Sequence, residues 1–297
     1  MISFLAPAKI NLYLHVLNKL DTGYHTLDSL VIFSDFSDQV DVWPSNQIEL
    51  EIKGPFATAL TNGSQNIVLR AAKELQAYLG VSFGAKIVLN KKIPVAAGLG
   101  GGSSDAAATI KALLKLWRVD FEKRDILVMA LELGADVPVC LFSQPSFVGG
   151  VGEKIYPILS FPPVHIVLIN PRIEVPTGQI FSNYKGPFNQ SARFEIAPKT
   201  AEELIRFLKD KGSNDLVKPA IEMAPEIEMA LNFLNSDVNC KFANMSGSGA
   251  TCFGIYLNFF HANEAFKKCK KAYPNWWAVS TKLVHNKKYD SSFLDVS

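Results

Sequence analysis

Cysteine is scarce in this chain. Only Cys140, Cys240, Cys252 and Cys269 occur in 297 residues, and no two form a Cys-x-x-Cys pair. That weighs against a disulfide framework and against a cysteine-based zinc site, and favours buried free thiols in a reducing cytoplasm. An excess of one charge is also missing. The formal net charge of +2 gives no global pull toward nucleic acid or a membrane surface. Long apolar runs are absent; Val164 to Ile169 has the length of a core strand. No charged segment precedes an apolar one at the N-terminus, so no signal peptide is expected. There is no internal repeat and no low-complexity tract, and nothing points to a protein partner. What the chain does hold is 48% hydrophobic residues, enough for one large core or two medium ones.

One stretch stands out, Pro94 to Trp117. Pro94, Val95, Ala96 and Ala97 lead to Gly98, Leu99, Gly100, Gly101 and Gly102, then Ser103, Ser104 and Asp105. Clustered glycines let a ligand come close to main-chain N–H groups. Ser103 or Ser104 supplies an N-cap, with Asp105 in the first turn. A helix follows, with Ile110, Leu113, Leu114 and Trp117 on its inner face. Ala85 to Leu89 reads as the strand upstream. Strand, glycine loop and helix start hold phosphate well, because free N–H groups and the positive end of the helix dipole point the same way. No Gly-Lys-Ser/Thr ends the loop, so it is not a Walker A site. Ser103 stands where a dinucleotide fingerprint needs its third glycine, and the His-Arg-Asp motif of protein kinases is missing.

Other candidates are spread along the chain. A strand over Ala6 to Leu14 puts Lys9, Asn11 and Tyr13 on one face and Ile10, Leu12 and Leu14 on the other. Lys9 fits an edge-strand charge or, with Asn11, a polar pocket. Tyr24 and His25 follow a turn at Gly23; they suit a solvated turn or a stack on a flat heterocycle. Thr26 to Phe33, Val40 to Val42 and Ile48 to Ile52 read as strands. Asn66 caps a helix to about Leu79. A further helix runs from about Glu122 to Leu133, and Gly134 is placed to end it in the left-handed conformation. Asp136, before an apolar run, fits a turn aspartate or a general base. Pro157 to Pro163 is a candidate hinge. Asn214 and Asp215 cap another helix. Ser246 to Ala250 is a second small-residue loop, either a tight turn or a phosphate neighbour. A last strand spans Trp276 to Leu283, and the polar residues from Asn286 onward are expected to fray.

Three of these stretches together resemble the superfamily of small-molecule kinases that includes galactokinase, homoserine kinase, mevalonate kinase and phosphomevalonate kinase. They are Pro7-Ala8-Lys9-Ile10-Asn11, Pro94 to Ala107, and Ser246-Gly247-Ser248-Gly249-Ala250. Gly23-Tyr24-His25-Thr26-Leu27, Gly134 to Pro138 and Gly150 to Glu153 further resemble the members that phosphorylate a cytidine-diphosphate-linked methylerythritol. The resemblance covers nearly the whole chain except Tyr184 to Lys199.

The resemblance implies an α+β fold of two domains, residues 1–160 and 161–297, with the active site in the cleft between them. It implies transfer of a phosphoryl group from ATP to the 2-hydroxyl of that small-molecule acceptor, with Mg²⁺ expected. Asp136 would then be the base and Lys9 its partner. Asn11 would place the sugar alcohol. Tyr24 and Phe181 would sandwich the cytosine, His25 would read its edge, and Thr177 would lie close by. Residues 94–104, with Lys91 and Lys92, would serve the nucleotide. Gly247, Ser248 and Gly249 would approach the phosphates, and Mg²⁺ would sit on Ser103 or Ser104 or largely on water. Competing readings are another kinase of the superfamily, a silent nucleotide sensor, and a dinucleotide oxidoreductase, which the missing glycine weakens.

Overall fold

The computed structural model describes residues 1–283; the expected fray beyond Asn286 lies outside them. The first part of the chain is built on two very long strands, β1 (Ile2–Lys19) and β2 (His25–Ser45). They are joined by the turn at Gly23, which has φ +86°, and pair antiparallel throughout, as in Lys9 opposite Phe33. The separate strands read at Thr26–Phe33 and Val40–Val42 are one. The polar stretch between them stays extended because β1 runs beside it and satisfies its backbone.

β3 (Ile48–Lys53), helix α1 (Ile67–Leu79) and β4 (Gly84–Asn90) follow, then α2 (Gly101–Trp117), α3 (Lys123–Leu133), α4 (Val137–Phe142), β5 (Ser146–Gly150) and β6 (Lys154–Pro157). The strands form one sheet in the order β3-β4-β2-β5-β6, with β1 paired to β2. α1 begins at Asn66, whose side chain accepts from Val68 N, and ends on left-handed Gly80. A core of small and branched residues, among them Ala107, Ile110 and Leu114 of α2, packs these helices on Val40, Val42 and Ile87.

β7 (His165–Asn170) opens a second sheet. α5 (Thr177–Asn183), α6 (Ala201–Lys211), α7 (Val217–Met223), α8 (Glu226–Ser236), β8 (Phe242–Met245), β9 (Cys252–Tyr256), α9 (Phe259–Ala272) and β10 (Trp277–Lys282) complete it, with strand order β10-β7-β9-β8. Both faces of β7 are covered, which explains its continuous apolar run. Ile166 and Leu168 meet Ile10 and Leu12 of β1, while Val167 and Ile169 meet the helices of the other side. The proline-punctuated segment after β6 links the two sheets, and its Ile158 and Phe161 are buried between them.

Three local expectations need correction. Simple alternation along β1 fails at a bulge between Asn11 and Tyr13. The extra residue turns Tyr13 into the core with Ile10 and Leu12, where its hydroxyl donates to Asp28, and turns Leu14 to the cleft side. Gly134 is extended, with φ 168°, because the chain continues directly toward Asp136 instead of reversing. The N-cap of α2 is Gly100, left-handed at φ 57°, so Ser103 and Ser104 lie inside the helix.

Candidate active site

The free cysteines are internal: Cys140, Cys252 and Cys269 are buried and Cys240 is half-buried. None belongs to the feature that dominates the molecule, a cleft of about 1190 Å³ walled by β1, α1, the glycine loop, α5 and the loop before β9.

Its centre is an ion pair. Lys9 Nζ donates to Asp136 Oδ2 at 2.7 Å, with the lysine side chain 6% exposed and the aspartate 43%. Lys9 is therefore not a surface gatekeeper, and Asp136 is not a self-capped turn. The bulge after Pro7 aims Lys9 inward, and its amide donates to Leu99 O at 2.8 Å. Asp136 sits at the N-cap position of α4 without spending its carboxylate on a cap bond. One carboxylate oxygen next to a buried ammonium remains open to a ligand, which suits proton abstraction at a held hydroxyl.

The glycine loop passes over Lys9. Gly100 is left-handed, and a Cβ there would stand 3.0 Å from Lys9 Cβ. Gly98, at φ +72°, faces the loop before β9 so closely that a Cβ would lie 2.5 Å from Ser246 O and 2.6 Å from Gly249 O. Only glycine allows that approach. Ser246 Oγ donates to Gly98 O and receives the Asn11 amide, and Thr251 N donates to Ala97 O. The two small-residue loops are thus one structure. Pro94, Val95, Ala96, Ala97, Gly98, Gly100, Gly101, Gly102 and Ser103 line the cleft, as do Gly247, Ser248 and Gly249. α2 begins here, so its unpaired N–H groups face the same space.

Several residues expected at the nucleotide are engaged elsewhere. Ser104 is buried and its hydroxyl donates to Pro7 O at 2.7 Å, which removes it as a ready metal or phosphate ligand. Leu99 is buried in the core between the sheets. Lys92 is exposed and does not line the cleft; its amide donates to Asp38. Lys91 belongs to the wall, but its ammonium is held by Asp38 and Asp105.

At the other end of the cleft, His25 stacks on Phe181 at 5.4 Å and 27°, with Tyr184 edge-on to it. Tyr24 lies at the rim, 69% exposed. The stack forms between His25 and Phe181, so the expected Tyr24–Phe181 sandwich stands open on the tyrosine side. His25 Nε2 is buried without a partner, and burial followed by the Lys19 charge lowers its pKa below 6.5. Asn11 Nδ2 donates to Ser29 Oγ while its Oδ1 is also unpartnered. Thr177 shares a hydroxyl hydrogen bond of 2.8 Å with Ser248, tying α5 to the second loop.

The sequence alone did not single out Ser29, Lys19, or the Thr61 to Ile67 wall opposite α2. Asn66 was legible only as a helix cap, and it both caps and lines. Asn214, read as a cap, is not one: α7 has Leu216 at its N-cap, and Asn214 accepts from Leu216 N just before it while its Nδ2 fastens the second loop through Met245 O and Gly247 O.

The family model "GHMP kinases N terminal domain" matches residues 66–144 and "GHMP kinases C terminal" matches 195–275. The chain is 42% identical to the 4-diphosphocytidyl-2-C-methyl-D-erythritol kinase of Paramagnetospirillum magneticum, over 94% of this chain and 97% of that one. It is 43% identical to the enzyme of the same name from Ruegeria pomeroyi, over 94% and 98%. The chain belongs to this kinase family. A solved structure titled 4-(cytidine 5'-diphospho)-2C-methyl-D-erythritol kinase superposes with TM-score 0.76 at 32% identity, over 95% of this chain and 99% of that one. The α+β two-domain kinase fold follows, and with it ATP-dependent phosphoryl transfer. No helix of the described residues is long and apolar enough to cross a membrane.

Proposed function

We propose that this kinase transfers the γ-phosphoryl group of ATP to the 2-hydroxyl of 4-diphosphocytidyl-2-C-methyl-D-erythritol, a step of non-mevalonate isoprenoid precursor synthesis in the cytoplasm. The observation that carries the reading is the Lys9–Asp136 pair in one cleft with the glycine loop on one side and the His25–Phe181 stack on the other. The relatives' names supply the acceptor.

In this reading the cytosine lies against Phe181 and under Tyr24, with its polar edge at His25. Its arrival replaces the missing partner of Nε2. Asn11 and the Thr177–Ser248 hydroxyls border the path to the reacting alcohol. The alcohol oxygen attacks the γ-phosphorus, its proton passes to Asp136, and the bond to the β-phosphate oxygen breaks to leave ADP. Lys9 pairs with the Asp136 carboxylate beforehand and offsets negative charge at the attacking oxygen. The N–H groups of the loop and of the first turn of α2 receive the phosphates.

No cluster of three or more His, Cys, Asp or Glu suited to a metal occurs among the described residues. Mg²⁺ would enter with the nucleotide, and the Ser103 hydroxyl, which lines the same wall, is the side chain that would help hold it. It would neutralise phosphate charge. We also draw the boundary between the two domains near residue 160, in the segment that joins the sheets.

The test is ADP release with Mg-ATP and, separately, the cytidylyl substrate, mevalonate, homoserine and no acceptor. Release with the cytidylyl substrate alone is expected. Release with another acceptor keeps the kinase and removes the cytosine site; silence in every arm, with ATP still bound, favours the silent sensor.

A further inference from the structure

Lys91 is among the largest fully buried side chains of the protein, and the chemistry above leaves it unused. It stands at the end of β4, where the glycine loop departs. Its Nζ is 2.6 Å from Asp38 Oδ2, on β2, and 2.6 Å from Asp105 Oδ2, on α2. Side-chain exposure is at most 2% for all three. With every group ionised, this wall of the nucleotide site would carry one uncompensated negative charge. Burial makes such a charge costly, and it would repel the phosphates.

The two carboxylates differ in how they are supplied with donors. Asp38 accepts from Lys91 Nζ through Oδ2 and from the amides of Lys92 and Ile93 through Oδ1. Asp105 accepts from Lys91 through Oδ2, and its Oδ1 is buried with no partner. Negative charge is best held where donors are most numerous, which favours the Asp38 carboxylate over that of Asp105. Asp105 holds a charge less well, because one of its oxygens has no donor and the Asp38 carboxyl stands beside it.

We propose that Asp105 is held as a neutral carboxylic acid and that Asp38, Lys91 and Asp105 form a charge-balanced bolt that positions the phosphate loop for ATP. The bolt grips both ends of the loop. Asp38 fixes its entry through the two amides, and Asp105 fixes its exit on the first turns of α2. Lys91 Nζ passes beneath Gly101, where a Cβ would come within 3.0 Å of it. Burial raises the Asp105 carboxyl well above its ordinary range; Lys91 opposes this and Asp38 adds to it. Lys91 stays protonated because the two carboxyl groups outweigh burial. Lys9 and Asp136, beyond Gly100, are paired with each other.

The proposal rests on reading this loop as the ATP site, and two measurements keep the parts separate. The first is the infrared difference spectrum of nucleotide-free wild type against Asp105→Asn near neutral pH. A carboxylic-acid C=O stretch that disappears in the variant is expected; its absence overturns the neutral Asp105. The second is calorimetric binding of a non-hydrolysable ATP analogue. Asp105→Asn, which preserves shape and neutrality, should stay within about threefold of wild type. Asp105→Ala should lose about tenfold or more, with acceptor KM unchanged. Equal losses in both variants overturn the neutral acid, and no loss in Asp105→Ala overturns the positioning role. Failure of the wild type to bind the analogue would sink the ATP reading of the loop and the bolt's role there, while the infrared band still reports on the proton.

Discussion

Asp136 and His25 do opposite things with the same resource, a polar atom left without a full set of partners. Asp136 has one neighbour of strong charge and an open side, so it is poised to accept a proton. Replacing it with Asn keeps the shape and removes the basicity. Turnover of Asp136→Asn should fall by about a thousandfold or more, while ATP affinity stays within a few-fold. Initial rates beside analogue binding check this, and near-normal turnover would remove Asp136 as the base. His25 instead holds a buried, unpartnered Nε2 beside Lys19. Protonation there buries an unpaired cation, so the folded pKa lies below 6.5. A depressed pKa means that its stabilising contribution is present above 6.5 and lost as pH falls through the folded value. Acceptor KM should therefore rise on acidification with a midpoint below 6.5, while the KM for ATP does not follow it. A midpoint above 6.5 in the acceptor KM profile would contradict a neutral His25.

At the scale of elements, the two glycine-rich loops act as one part. Gly98 meets Ser246 and Gly249 backbone at distances that no side chain tolerates, at a φ of +72°. Gly98→Ala should cost about 1–3 kcal/mol or more of stability, from strain and from the displaced loop. ATP KM should rise with it. A urea midpoint at wild-type level together with unchanged ATP KM would show that the two loops need not touch. Much of this part was legible in the sequence, since runs of small residues in a strand–loop–helix setting have few other uses. Helix α1 with its Asn66 cap, and the strand β4 before the loop, were legible for the same local reason. The failures share a cause as well. The bulges that re-aim Tyr13 and Leu14, the burial of Ser104 against Pro7, and the charge cluster of Asp38, Lys91 and Asp105 depend on partners far away in the chain. No local pattern signals them. Tyr184 to Lys199 is the extreme case. It has no regular element in its span, yet Asp28 receives the Ala192 amide and Arg193 Nε, and His15 meets Gln190 O.

The whole molecule places one cleft between two sheets whose cores share β1. Ala6 lies in the helix-covered core of the first sheet, Ile10 and Leu12 lie between the sheets, and Val16 lies in the core of the second. Ligands that fill the cleft therefore brace both halves at once, and each should raise the melting temperature by mass action. At a hundred times its Kd, a ligand specific for the folded state contributes about 2.7 kcal/mol. In the proposed reading the nucleotide leans on the two loops and α2, and the acceptor leans on α5 and the start of β2. Phe181 belongs to the second set, where it stacks on His25. Phe181→Ala should thus keep the shift produced by an ATP analogue and lose most of that produced by the cytidylyl substrate. Its acceptor KM should rise about tenfold or more, as expected for a lost aromatic stack of one to a few kcal/mol. Melting curves of wild type and variant, each alone, with analogue and with acceptor, give the answer. An intact acceptor shift in the variant would sink the cytosine stack, and a lost analogue shift would show that Phe181 supports the cleft as a whole.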